Sequence, residues 1–117
     1  MPRSFWRLHI NSDKKENAET AVNRCVKLLN RSPVEVELYK YSNGGFMSDL
    51  QFFHDEDLSW PQLVFDLLEM GERIGTGWLL SGKISMNPSG TLNSISPATT
   101  VKEAGLNWVS WEIENSA

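Results

Sequence analysis

The chain has 117 residues, 40% of them hydrophobic, 10% aromatic and 22% charged, with a formal net charge of −4. That length supports one hydrophobic core and a single domain, 1–117, and the supply of aliphatic and aromatic residues excludes global disorder. No apolar run approaches the roughly 18 residues of a membrane-spanning helix, and the acidic balance argues against general nucleic-acid binding, which needs a basic face.

In chain order, Phe5 to Ile10 alternates Trp6, Leu8 and Ile10 with Phe5, Arg7 and His9, the period-two pattern of a strand with one face on a core. Asn11-Ser12-Asp13 supplies capping oxygens, with Glu16 three residues after Asp13 as in a capping box. Ala18, Ala21, Val22, Cys25, Val26 and Leu29 then recur at helical spacing, which predicts an amphipathic helix to about Asn30. Ser32-Pro33 stops it, because the residue before proline is pushed out of the α region. Val34, Val36 and Leu38 alternate with Glu35, Glu37 and Tyr39 as a second strand. Ser42-Asn43-Gly44-Gly45 makes a tight hairpin into a third strand, Phe46 to His54. In it Phe46, Leu50 and Phe52 share one face, and Met47, Asp49, Gln51 and Phe53 the other.

The acidic run Asp55-Glu56-Asp57 ends that strand, and Ser59-Trp60-Pro61-Gln62 opens a second helix with cap, early proline and capping-box glutamine. Leu63, Val64, Leu67, Leu68 and Ile74 form its apolar stripe, closed by Gly75 and Gly77. Trp78, Leu80, Gly82, Ile84 and Met86 alternate as a long fourth strand, and Asn87 to Gly90 reads as a turn. A short strand at Thr91 to Ile95 follows, then a loop or single helical turn at Thr99 to Ala104. The last strand carries Asn107, Val109, Trp111 and Ile113 on one face. The order β-α-β-β-α-β predicts an α+β fold of the ferredoxin-like kind: an antiparallel sheet with two helices on one face, extended by the C-terminal strands.

No element of this pattern carries a recognisable chemistry. One cysteine excludes an internal disulfide framework and a multi-thiolate metal site, and Cys25 falls on the apolar stripe of the first helix, where a free thiol is structural. His9 and His54 lie at opposite ends of different strands and read as surface residues. The stretch His54-Asp55-Glu56-Asp57 matches neither a calcium loop nor a zinc helix. Ser42 to Gly45 lacks the lysine and helix of a phosphate loop, and Gly71, Gly75 and Gly77 precede a strand where a dinucleotide fingerprint precedes a helix. The expectation is a protein with no catalytic residues, no cofactor and no metal.

Acidic and aromatic residues, in contrast, occur side by side. Asp55, Glu56 and Asp57 lie between Phe53 and Trp60, a mixture that suits docking to a basic partner, since charge steers the encounter and aromatics anchor it. Tyr39, Tyr41 and Trp111 could form a stacking platform for bases, but the neighbouring Glu35, Glu37, Glu112 and Glu114 would repel phosphate. The alternation of Glu35 and Glu37 with Val34 and Val36 instead points to an exposed acidic sheet face. The partner-binding candidates are Asp49, Asp55, Glu56, Asp57, Tyr39, Tyr41 and Phe53.

The size, the acidic balance and the tryptophan-rich segments Gly77-Trp78-Leu79-Leu80-Ser81-Gly82 and Asn107-Trp108-Val109-Ser110-Trp111-Glu112 resemble the small immunity proteins of bacterial contact-dependent inhibition and related polymorphic toxin systems. The resemblance implies a protein that binds the toxin domain of a larger secreted protein, commonly a nuclease, and blocks it in the producing cell's cytosol. The N-terminus, Met1 to Arg7, has no apolar stretch of a signal peptide, in keeping with that compartment. The alternative is a ferredoxin-like regulatory or small-ligand-binding domain acting as a homodimer through a sheet edge.

Overall fold

In the computed structural model, which describes residues 1–114, the alternation of the first strand sets the frame. Strand β1 (Arg3–Ile10) turns Trp6, Leu8 and Ile10 inward and leaves Phe5, Arg7 and His9 on the other side. It is followed by α1 (Lys15–Leu29), β2 (Glu35–Lys40), β3 (Phe46–Phe53) and α2 (Trp60–Ile74). Then come β4 (Gly75–Thr76), β5 (Leu79–Ser81), β6 (Ser89–Asn93), β7 (Thr100–Val101) and β8 (Leu106–Glu114). The class is α+β. Six strands form one antiparallel sheet in the order β2-β3-β1-β8-β6-β5, and β4 pairs with β7 as a separate two-stranded ribbon.

One face of the sheet is the core face. Trp6, Leu8 and Ile10 meet Phe46, Leu50 and Phe52 of β3 and Leu106, Val109, Trp111 and Ile113 of β8, and the two helices add Ala21, Cys25, Leu29, Leu63, Leu67 and Ile74. Trp6 sits at the centre, its ring within 6.3 Å of Phe52, Trp78 and Trp111. Gly90 is required beside it, because a Cβ there would fall inside the Trp111 indole. Cys25 is completely buried in this layer, and burial, with Glu103 adding to it, pushes its thiol up to about 12. The native protein is therefore expected to resist a thiol reagent at pH 8 and to react fully once denaturant opens the core, as a colorimetric thiol assay measures. Rapid reaction of the native protein would contradict the packing of α1.

Several local expectations are corrected. The second helix starts as predicted: Ser59 accepts from Gln62 N–H, and the Gln62 side chain accepts from Ser59 N–H, completing a capping box. The first does not. Its N-cap is Lys14 with no side-chain cap, because the Asp13 carboxylate accepts from Gly45 N–H in the β2–β3 hairpin. Asn30, in the left-handed conformation, ends α1 before Ser32-Pro33 is reached. Val34 and Val36 are about half exposed where an inward face was expected, since β2 is the sheet edge and the helices do not cover it; only Leu38 packs on the core.

The long fourth strand expected over Trp78 to Met86 is absent. The Trp78 indole N–H donates to the carbonyls of Gly71 and Gly75, closing the end of α2, and Gly77 turns the chain with φ of 91°. Only Leu79–Ser81 pairs, at the far edge of the sheet, and Lys83 to Asn87 form the turn back. The strand expected at Thr91 to Ile95 begins at Ser89 and ends at Asn93, leaving Ile95 exposed. The place beside β1 belongs to β8. Within β8 a bulge at Asn107 gives the inward position to Leu106, while Trp111, opposite Trp6, is buried and Trp108, opposite His9, faces the other side. Among the described residues no helix is long and apolar enough to cross a membrane.

Candidate functional site

The second face of the sheet has no helix over it. Strand registers arrange its side chains in rows. One row runs Glu35, Gln51, Phe5, Glu112 and Ser89, and the next runs Glu37, Asp49, Arg7, Ser110 and Thr91. A groove of about 420 Å3 lies along the two rows, lined by Arg7, Glu35, Glu37, Asp49, Ser110 and Glu112 among others.

Arg7 is the one cation in the groove lining, set against Glu35, Glu37, Asp49 and Glu112. Its Nε donates to Asp49 Oδ1 at 2.8 Å and its Nη2 to Oδ2 at 3.2 Å, while the Tyr39 hydroxyl donates to the same carboxylate at 3.1 Å. The hydrogen bond to Asp49 raises Arg7 above its ordinary value. Gln51 donates to Glu35 at 2.9 Å. The groove thus carries an excess of carboxylate with most side chains partly exposed.

One end of the face is aromatic. The His9 ring stacks on Trp108 with centroids 5.8 Å apart and planes at 11°, and meets Tyr41 edge-on at 5.5 Å. His9 Nδ1 accepts from the Asn107 side-chain amide at 3.0 Å and Nε2 donates to the Gly44 carbonyl at 3.0 Å, the bonding of the Nε2–H tautomer. His9 is half-buried, held by both neighbours, where an exposed surface residue was expected. At the other end stands Phe53, 43% exposed, with Arg3 over the ring of Phe5 at 5.9 Å.

Of the residues singled out from sequence, Tyr39, Asp49 and Phe53 share this open face, and Tyr41 stands at its rim. Asp55, Glu56 and Asp57 are apart from the groove, in the exposed turn where the chain leaves β3 for α2. Asp55 accepts from Asp57 N–H at 2.9 Å, and Glu56 is 3.0 Å from the Met1 amine. Trp111 is not part of the face, since it is buried on the core side; the Glu114 side chain lies outside the described residues. Arg7, Glu112 and Trp108 join the face unanticipated as site residues. Their period-two spacing is visible in the sequence, but only the pairing of β1 with β3 sets Arg7 beside Asp49, and only that of β1 with β8 brings Glu112 and Trp108 onto the same face.

A second polar cluster lies on the core side. His54 was expected as a surface residue at the end of the third strand; it is 2% exposed. Its Nδ1 donates to Asp66 Oδ2 at 2.9 Å, and its Nε2 accepts from the Ser4 hydroxyl at 2.7 Å. Asp66 also receives both Nη groups of Arg31 at 2.8 Å, and Ser4 Oγ receives the Trp6 indole N–H at 3.0 Å. Burial, outweighing the hydrogen bond to Asp66, lowers the His54 pKa; for Asp66, burial acts upward but Arg31 and His54 together hold it below its ordinary value. A Ser-His-Asp chain in this order can activate a serine, but Ser4 is wholly buried and its oxygen already accepts from Trp6. The cluster acts as a clamp joining β1, the end of β3, α2 and the segment after α1. No grouping of three potential metal ligands occurs among the described residues.

No protein-family model matches the chain, and no curated protein and no solved structure is significantly similar to it.

Proposed function

We propose that this chain is an immunity protein that neutralises a cognate toxin domain, a basic nuclease, by laying its open sheet face over the active site. The observation that carries this reading is the helix-free face itself: a grooved surface with Glu35, Glu37, Asp49 and Glu112 around one paired arginine, flanked by Trp108 and Tyr41 at one end and Phe53 at the other. A nuclease site holds cations to bind phosphate, and carboxylates spaced across a strand sheet complement such a site, with exposed Phe53 and the partly exposed Tyr41 and Trp108 rings supplying the anchors. The sheet order β2-β3-β1-β8 is read as the ferredoxin-like arrangement with the last strand in the fourth place and β5 and β6 extending it. The action belongs in the cytosol of the producing cell, and it requires no catalysis by this chain.

The test is a binding titration against the C-terminal domain of a large secreted protein encoded next to this one. Replacing Glu35, Glu37 and Glu112 together with lysine is expected to slow association about tenfold or more at low salt and to flatten its salt dependence. Reversal of Asp55, Glu56 and Asp57 is expected to have a smaller effect, because they stand off the groove. Unchanged on-rate, affinity and salt dependence in the first variant would remove the open face from the interface.

A further inference from the structure

We propose that two copies of this chain pair antiparallel through the free edge of β2, joining their sheets into one. This inference is independent of the partner reading above.

The hydrogen-bond phase of β2 shows which groups are free. Tyr41 N–H donates to the Gly45 carbonyl at 3.0 Å, and Val34 N–H donates to the Gln51 carbonyl at 2.8 Å, a bulge that ends the ladder. Because antiparallel pairs alternate, the odd-numbered residues of β2 bond to β3, and Val36, Leu38 and Lys40 direct their backbone N–H and C=O groups away from the sheet. An edge with open backbone groups is a template for another strand. The other edge, β5, is only three residues long. On the helix side of β2 the apolar groups are also incompletely covered: Val34 is 51% and Val36 49% exposed, beside half-buried Leu38.

Sequence and face parity select one register. A two-fold axis normal to the sheet keeps open face with open face, so opposed residues must both be even or both odd in number. Placing Leu38 opposite Leu38 of the second copy sets Val36 against Lys40 on the helix side, and Glu37 against Tyr39 on the open side. No like charges are opposed, and the Lys40 stem can cover Val36 while its ammonium stays in water. Shifting to centre on Glu37 opposes the two Glu37 carboxylates at the closest spacing of the ladder, which disfavours that register. The chosen pairing leaves both acidic faces on the same side of the joined sheet.

Sedimentation equilibrium of the full chain tests the association: the expected mass is twice the 13.3 kDa of one chain. Val36→Lys, at an exposed site, would oppose two lysines twice across the axis. It is expected to weaken dimerisation about tenfold or more while leaving the far-UV spectrum unchanged. Leu38→Cys is expected to give a disulfide-linked dimer on mild oxidation, since residues in a hydrogen-bonded antiparallel pair stand about 5.5 Å apart, within disulfide reach. Buried Cys25 provides no competing thiol. A chain that stays monomeric at its highest soluble concentration overturns the proposal, as does a dimer that Val36→Lys leaves intact. A dimer in which Leu38→Cys fails to cross-link overturns the register.

Discussion

Replacing Trp6 with alanine is expected to lower the unfolding free energy by about 4 kcal/mol, and the melting temperature by about 15 °C. Trp6 is 1% exposed at the middle of the central strand, and three aromatic rings pack on it, two of them edge-on. Alanine would leave a cavity that Trp78 and Trp111 cannot collapse into, because both are held elsewhere: Trp78 by its hydrogen bonds to Gly71 and Gly75, Trp111 by its seat over Gly90. A loss of that size is a large share of the ~5–15 kcal/mol that stabilises a domain. Trp6→Phe keeps most of the volume but not the indole N–H donated to Ser4, and a loss of about 1–2 kcal/mol is expected. Thermal melts of both variants check the ranking, and a Trp6→Ala protein melting within a few degrees of the parent would show that this cluster is not the core.

Asp66→Ala is expected to cost about 2–3 kcal/mol. The change leaves the His54 Nδ1–H without an acceptor in the interior and frees Arg31 from both of its carboxylate bonds. The upper part of the range for broken buried pairs does not apply, since the Arg31 side chain is 31% exposed and water can take over its solvation. The same cluster sets a pH dependence. The folded-state pKa of His54 lies below its unfolded value near 6.5, so between the two the unfolded chain binds more protons. Stability from neutral His54 is therefore full above about pH 6.5 and is lost as pH falls through the folded pKa. Asp66, also lowered from 3.8, adds a second loss at more acid pH, as its carboxylate is protonated. Melting temperatures measured from pH 7.5 downward should fall, and His54→Gln should flatten the upper part of that slope. A slope unchanged in His54→Gln would assign it to other groups.

Much of the architecture was legible where the signal is local. The alternation of β1 names which side chains are buried, and that of β3 does so except at Met47, which is buried although it lies on the open side, because successive residues of a strand point to opposite faces. The Ser59-Gln62 capping box needs only four consecutive residues, and it forms. Failures came where a local pattern had a distant competitor. Asp13 has the spacing of a capping residue, but Gly45 N–H, 32 residues away, takes its oxygen. Trp78 to Met86 alternates like a strand, yet Trp78 is drawn to the end of α2 and only Leu79–Ser81 joins the sheet, as its edge strand. His54 carries no sign of burial in its own neighbourhood, since its partners Ser4 and Asp66 lie 50 and 12 residues away. The candidate site divides in the same way. Glu35 and Glu37 on an exposed face could be read from alternation with valine, whereas Arg7, Glu112 and Trp108 join Asp49 only through strand pairing.

By itself, then, the sequence determined the α+β class, the two helices, the inward sides of β1 and β3, and the acidic, aromatic-rich surface, because each follows from residue spacing within one element. The tertiary structure alone decided that β8 lies beside β1, that its register sets Trp111 against Trp6 on the core side and Trp108 against His9 on the other, and that one sheet face stays uncovered. Those outcomes depend on which segments compete for the same hydrogen bonds and core volume. That competition takes place between residues up to a hundred positions apart, as in the Asn107–His9 bond, where no spacing rule reaches.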